Sequence, residues 1–432
     1  MNKTEIFIII LIIVIVFVAI AISIYIYMRH SSDNVVTRTE SAPVTSTQTR
    51  PLTTRRDKAT ILPLHVNYDD TTSNEYEPIE IVRYRGSLTS NTQFNKSSTP
   101  LNIRYEEVAT IDVNNTSSSE ALFIGAVYRP NNNDIVLIPH NSNVIVLMDL
   151  DDYSLTYLSP SLTSSNTGAV SGFFSNGCLD SSGNVIMVPY NSSYVGVLDE
   201  NNNVELIQFP TRSTQTTSAY FSDCVSVNGE IIFIPSSSTT IMTLSGNDIS
   251  FIPLDDTTEN KYSSVVLLGD NIIAAPRNAD RVLIYNINTQ EIMYSPHIND
   301  ITSNVREDVI QDVDTTNNKY MDITIMEDVA YAIPLDAEYI LRITSDLQFT
   351  RVSPSVDIVR SFGASYNESL GQIIIAPHTE QSDNIISAIS MNSSSTTKLP
   401  NTYPKAAYSD AISVGNVTYL IPHSSRQIIK IS

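Results

Sequence analysis

An all-β fold, a seven-bladed β-propeller, is predicted by three features of the chain. A short apolar run ends in proline seven times, at Pro139, Pro189, Pro235, Pro276, Pro334, Pro377 and Pro422. These prolines recur at intervals of roughly 41 to 58 residues, a period that marks stacked structural repeats. An aromatic stands about 14 to 16 residues ahead of each proline, at Phe123, Phe174, Phe221, Tyr262, Tyr320, Phe362 and Tyr408. The runs themselves are short and rich in Ile, Val, Tyr and Phe, with Asn, Asp, Ser and Gly at their ends, which is strand chemistry without a helical period.

Each repeat reads as four strands. The first starts at the aromatic and ends in a polar turn such as Asn228-Gly229 or Gly415-Asn416. The second runs into the proline, as in Ile231 to Pro235 and Ile373 to Pro377. Proline cannot donate to a ladder, so it fits only at the strand's end. A third apolar run follows a polar loop, as in Val144 to Leu147, Ile241 to Leu244 and Ile428 to Ile431. The fourth ends near a second proline, at Pro160, Pro210, Pro253, Pro296, Pro354 or Pro400. The seventh repeat stops at Ser432, after its third strand. An open blade would leave an unpaired edge, so a segment ahead of the first repeat is expected to complete it. Arg104 to Asp112 and Pro78 to Tyr84 are the two candidates, and a three-stranded last blade is the alternative.

The segment Asp134 to Asp149, DIVLIPHNSNVIVLMD, resembles the strand, polar loop and strand of YVTN-type and WD40-type propeller repeats. The resemblance spans residues 100–432 and implies architecture rather than activity, because propellers carry unrelated functions. The chain has no Trp, which departs from the Trp-Asp signature of true WD40 repeats.

Four regions are expected: a tail over 1–5, a transmembrane helix over 6–28, a Ser/Thr-rich stalk over 29–75 and the propeller head over 76–432. Ile6 to Met28 is apolar and uncharged, long enough for the roughly 20 residues that span a bilayer. Its length favours a retained signal-anchor over a cleaved leader. The flank holding Arg29, Arg38, Arg50, Arg55, Arg56 and Lys58 leaves the side of the head open, since only Arg29 is close enough to weigh in the charge rule. Sequons at Asn95, Asn114, Asn115, Asn191, Asn367, Asn392 and Asn416 are candidate N-glycosylation sites, at a number that an Asn/Ser/Thr-rich chain also reaches by chance.

A net charge of −21 has the wrong sign for nucleic acid. Acidic stretches at Asp149 to Asp152, Asp255-Asp256 and Glu307 to Asp314 lack calcium-loop spacing and read as turn residues. Cys178 and Cys224, the only cysteines, each stand 11 residues before their repeat's proline. That count places them at one position of neighbouring first strands. They are a candidate disulfide, but two buried thiols are favoured, because adjacent inner strands are expected slightly beyond bridging distance.

His140, His378 and His423 each follow a repeat proline, in blades that adjoin once the ring closes. A shared metal is disfavoured: second-strand ends of adjoining blades stand on the order of 10 Å apart, and imidazoles must be about 2 Å from one ion. An insert from His297 to Asn318, with Glu307, Asp308, Asp312 and Asp314, is expected to project from the same loop face and to share in recognition. No nucleophile, zinc-protease or phosphate-loop motif is present, and no cofactor or metal is expected. The Asp-box of sialidases is absent as well.

The composition also resembles envelope proteins of large DNA viruses of invertebrates, which implies a virion-surface role in attachment. The expected function is therefore non-catalytic: a single-pass protein, attached to the membrane through 6–28, presenting its propeller loops to a protein or glycan partner outside the cell or virion. The alternatives are a membrane-tethered cytosolic scaffold and a glycan-processing enzyme with a degenerate site, the last to be sought at the channel residues Asp223, Asp322 and Asp410.

Overall fold

The computed structural model describes residues 104–112, 121–158, 162, 167–211, 216, 218–301, 317–352, 361–377, 385–389, 394–398 and 407–432. These form seven four-stranded antiparallel sheets, each a blade. First strands begin at Phe123, Phe174, Phe221, Tyr262, Tyr320, Ser361 and Tyr408, for blades 1 to 7. Each first strand packs against those of both adjoining blades, so the ring is closed around a central axis.

The apolar runs are explained by this layering. A second strand such as Asp134–Pro139 or Gln372–Pro377 is buried at every residue, because adjoining blades cover both of its faces. It therefore reads as a continuous run rather than an alternation. The outer strand Asp248–Pro253 alternates between exposed and partly buried residues, as a strand with one solvated face must. Seven apolar clusters lie one between each pair of adjoining blades. Full burial of a side chain like Phe233 or Ile234 in these seams is worth about 1.5–3 kcal/mol. The seam between blades 6 and 7 is the most alanine-rich, with Ala376, Ala388, Ala407 and Ala411.

The last blade is completed from the N-terminal side. Tyr105–Thr110 pairs antiparallel with Gln427–Ile431, from Tyr105 opposite Ile431 to Thr110 opposite Gln427. Of the two expected closing segments, the one at 104–112 fills the gap; 78–84 lies outside the described residues. Tyr105 meets the finish of the third strand, so the chain enters the blade at the end away from the prolines. That end is called lower here, and the proline end upper.

Two details differ from the sequence reading. The residue opposite the proline in blade 6 is Ser361, not Phe362. Ser361 donates its hydroxyl to the Pro334 carbonyl at 2.8 Å, whereas the ring of Phe362 stacks near His423. Only one of the six outer strands expected to run into a second proline, Asp248–Pro253, includes it; Leu155–Leu158, Val204–Gln208, Ile292–Tyr294, Phe349–Val352 and Ser394–Lys398 all stop two residues short. Residues 6–28 and the stalk lie outside the described residues, and among those described no helix is long and apolar enough to cross a membrane.

Candidate functional site

The first strands each break register two residues or so after their opening residue. Such bulges add a residue and re-aim its side chain. Counting two from the opening residue gives Gly125, Asn176, Asp223, Ser264, Asp322, Gly363 and Asp410 for blades 1 to 7. This is a collar of small and polar residues. Asp223, Asp322 and Asp410 are separated by blades carrying Ser264 and Gly363. A seven-membered ring cannot alternate without a defect, and the defect falls at blade 2, where the neutral Asn176 neighbours Asp223.

Each carboxylate ties two blades. Asp223 accepts the Cys224 N–H through Oδ1 at 2.8 Å. Its Oδ2 accepts the Val265 N–H at 3.0 Å and the Ser264 hydroxyl at 2.9 Å, both from blade 4. Asp322 accepts the Ile323 N–H at 2.7 Å and the Ala364 N–H of blade 6 at 2.6 Å. Asp410 accepts the Ala411 N–H at 2.7 Å and the Ala126 N–H of blade 1. A Cβ on Gly363 would overlap the Asp410 Cα, and one on Gly125 the Asn176 side-chain oxygen. The glycines are therefore what lets the larger collar residues approach.

Burial pushes the Asp223 carboxyl up to about 7, against the pull of the Cys224 N–H and the Ser264 hydroxyl, with the Asp322 charge adding to the rise. Asp322 is raised by burial as well. Asp410 is raised well above the carboxylate range by burial and then by the charge of Asp322. Like charges this close in a low-dielectric channel favour retained protons. Among the described residues no set of three or more His, Cys, Asp or Glu side chains is arranged to hold a metal ion.

A second ring lies at the upper mouth, formed by the residue after each proline: His140, Tyr190, Ser236, Arg277, Leu335 and His423, with His378 outside the described residues. In blades 1 to 5 its N–H returns to the residue ahead of its own first strand, as His140 to Leu122 and Arg277 to Lys261. In blades 1 to 4 its carbonyl accepts from the corresponding residue of the next blade, as His140 from Phe173 and Arg277 from Lys319. The backbone pattern repeats while the side chains do not.

Of the three histidines that follow a repeat proline, the two described ones, His140 and His423, turn to different blades. The His140 ring turns to blade 2, with Nδ1 2.7 Å from the Phe174 carbonyl and its ring 5.3 Å from that of Tyr190. Burial lowers its pKa, opposed by that carbonyl, so the imidazole is neutral near pH 7 and donates through Nδ1. His423 faces the other way, toward Phe362 of blade 6, with Nδ1 3.2 Å from the Ser424 hydroxyl. His297 accepts the Asn299 N–H and stands 3.7 Å from Asp280. The insert does not leave the surface at once: Ile298 and Ile301 are buried in the seam between blades 4 and 5. Glu307, Asp308, Asp312 and Asp314 lie outside the described residues. Asp149 and Asp152 accept local backbone N–H groups, as turn residues do.

Cys178 and Cys224 are bonded, with Cα atoms 5.9 Å apart. The sequence reading, which favoured separate thiols at one shared position, is corrected on both counts. Cys178 pairs with Ile186, three residues before Pro189, and Cys224 with Phe233, two before Pro235. Successive strand side chains point to opposite faces, so this one-residue offset turns the two sulfurs toward each other between blades 2 and 3.

Of the sequons, Asn416 is exposed. Asn367 is fully buried, its amide donating to Thr418 Oγ1 at 3.0 Å, which leaves no room for a glycan in the folded head. The amide of Asn191 donates to the Ser171 carbonyl and accepts the Ala219 N–H. Asn95, Asn114, Asn115 and Asn392 lie outside the described residues.

Sequence reasoning missed the buried cations Arg129, Lys261, Lys319 and Arg351. Arg129 forks onto Asp134, with Nε to Oδ1 at 2.8 Å, and also reaches the Asp199 carbonyl of blade 2. Lys261 and Lys319 occupy equivalent Asn-Lys-Tyr tripeptides, 260–262 and 318–320, a repeat that could have flagged them. Their ammonium groups cap the preceding blade's loop, Lys261 on the Ser238 carbonyl at 2.9 Å and Lys319 on Asp280 at 3.3 Å.

No family model and no curated protein matches the chain. Its fold is similar to that of virginiamycin B lyase from Staphylococcus aureus, with 14% identity and a TM-score of 0.59 over 76% of this chain and 99% of that one. A streptogramin B lyase structure is similar at 14% identity and a TM-score of 0.58, over 76% and 97% of the two chains. A chain of the mitotic checkpoint complex is similar at 10% identity and a TM-score of 0.54, over 83% and 98%. These likenesses show a shared β-propeller fold, one that serves enzymes and assembly components alike.

Proposed function

We propose that this protein is a non-catalytic, membrane-anchored binding protein of a cell or virion surface, whose propeller engages a protein or glycan partner through its upper mouth. The reading is carried by one observation: the ring after the prolines keeps its backbone pattern from blade to blade while its side chains run His, Tyr, Ser, Arg, Leu and His. A position freed from folding duty can specify a ligand. The strand Tyr105–Thr110 enters blade 7 at its lower end, which supports a tether attached on the side away from that mouth.

The bridge between Cys178 and Cys224 supports an oxidising compartment, since such bonds persist outside the cytosol and are rare within it. The apolar, uncharged stretch at 6–28 supports the anchor. A membrane-tethered cytosolic scaffold is the second reading, favoured by the arginines that follow the stretch. Protease protection of the full-length protein in sealed microsomes separates the two. A protected head whose Cys178–Cys224 fragments stay joined without reductant is the expected result. A digested, reduced head would refute the surface reading.

A further inference from the structure

The upper mouth contains a cation without an ion-pair partner. Of the buried cations in this chain of 46 acidic and 25 basic residues, Arg129 and Lys319 pair with carboxylates, and Lys261 and Arg351 donate to backbone carbonyls. Arg277 is mostly buried, yet no described carboxylate lies within ion-pair distance of it. Its Nε donates to Asn318 Oδ1 at 2.8 Å, which fixes the plane of the guanidinium. The two terminal nitrogens donate to no described residue.

Its backbone is linked to two lysines. The Arg277 N–H donates to the Lys261 carbonyl and its carbonyl accepts from Lys319, each at 2.8 Å. Lys261, which has no described carboxylate at ion-pair distance either, and Lys319 thus flank the Arg277 backbone, while their ammonium groups turn to the Ser238 carbonyl and to Asp280. Across the mouth stands Tyr190, two blades away, with the small Ser236 between them. The electrostatic influence of Tyr190 and Asp336 reaches Arg277, whose pKa is lowered chiefly by burial. That cost of an undercompensated cation is relieved when an anion binds.

We propose that the upper mouth between blades 2 and 5 binds an oxyanion, a carboxylate or a sulfate-type group, forked on the free terminal nitrogens of Arg277, with the Tyr190 hydroxyl as a further donor. The planar fork of a guanidinium matches two oxygens of such a group. A cationic or purely apolar ligand would leave the guanidinium desolvated and unpaired. The inference rests on the upper mouth being the binding face.

The test is calorimetric titration of the full-length protein in detergent with sodium sulfate and, separately, sodium acetate, at ionic strength held constant with sodium chloride. Saturable binding of either probe is expected, the sulfate and acetate arms telling a tetrahedral anion from a carboxylate. Arg277→Ala should weaken it at least tenfold and Arg277→Lys partly. Arg281→Ala, which removes an exposed neighbouring charge, should leave it unchanged. Far-UV circular dichroism checks that each variant is folded. Equal isotherms for the parent and a folded Arg277→Ala, or no saturable heat in the parent, would overturn the site. Arginine-dependent binding by a head that proves protease-accessible in microsomes would instead leave the site standing and remove the surface role.

Discussion

Replacing Asp223 with Asn tests the collar through the pH dependence of stability. Asp223 titrates near 7 in the folded head against 3.8 when free. A carboxyl whose folded pKa is raised binds its proton more tightly in the native state. Its contribution is therefore fully present below pH 4 and is lost as the pH climbs through 7. A difference of about three pKa units at 1.36 kcal/mol each amounts to about 4 kcal/mol between pH 4 and pH 8, as an upper figure. Asn carries no such slope. It also places an amide nitrogen where Oδ2 accepts the Val265 N–H and the Ser264 hydroxyl, at a cost of about 1–3 kcal/mol for the unsatisfied donor. The variant is thus expected to be less stable than the parent at pH 5 and equal or more stable at pH 8.5. The two curves of melting temperature against pH should cross, with each kcal/mol moving the midpoint by about 2 °C in a head of this size. Calorimetric scans at fixed ionic strength across pH 5 to 9 would show it. Parallel curves, displaced by a constant amount, would mean that Asp223 does not titrate in this range and that its burial is compensated by a group other than its proton.

Gly363→Ala should destabilise the head by more than 3 kcal/mol or prevent folding, because the new methyl meets the Asp410 backbone and overpacking of rigid neighbours is costly; a melting point within a few degrees of the parent would show that blades 6 and 7 can separate. Ala219 sits at φ 49, where Gly172, Asn260 and Asn318 occupy the equivalent left-handed position, so Ala219→Gly should stabilise by about 1 kcal/mol, read as a higher denaturant midpoint. Reducing the bond between Cys178 and Cys224, which closes a separation of 46 residues, should lower stability by up to about 4 kcal/mol; Cys178→Ser with Cys224→Ser should match the reduced parent and be indifferent to reductant.

The fold was legible because its two strongest repeat marks have one physical origin. A second strand covered on both faces must be a continuous apolar run, and it must stop where proline removes the donor. Register within the first strand was not legible, because nothing in the residues SFGAS around Phe362 distinguishes an aromatic that faces the proline from one displaced by a residue. The same ambiguity hid the offset that lets Cys178 meet Cys224: counting from the proline equates them, whereas counting along the ladder does not. The carboxylates Asp223, Asp322 and Asp410 could be placed in the channel from sequence. Their partnership could not, since it depends on bulges that lift one residue per strand out of its alternation. The signal available was the composition two residues after each opening position, Gly, Asn, Asp, Ser, Asp, Gly and Asp, with no large apolar residue among them. Arg277 carries no sequence mark at all, because its significance lies in the carboxylate it lacks.

The closing strand has a mechanical consequence. Arg104 and Ser432 exchange backbone hydrogen bonds at 3.0 and 2.9 Å, so the entry of the chain and Ser432 occupy the same corner of blade 7. Tension applied along the chain from the N-terminal side would run parallel to Tyr105–Thr110. It would strain all the rungs to Gln427–Ile431 together instead of opening them one after another. A clasp loaded in shear yields only when several bonds break at once, so a tethered head would keep its ring shut under a pull that would unzip the same strand taken from the side.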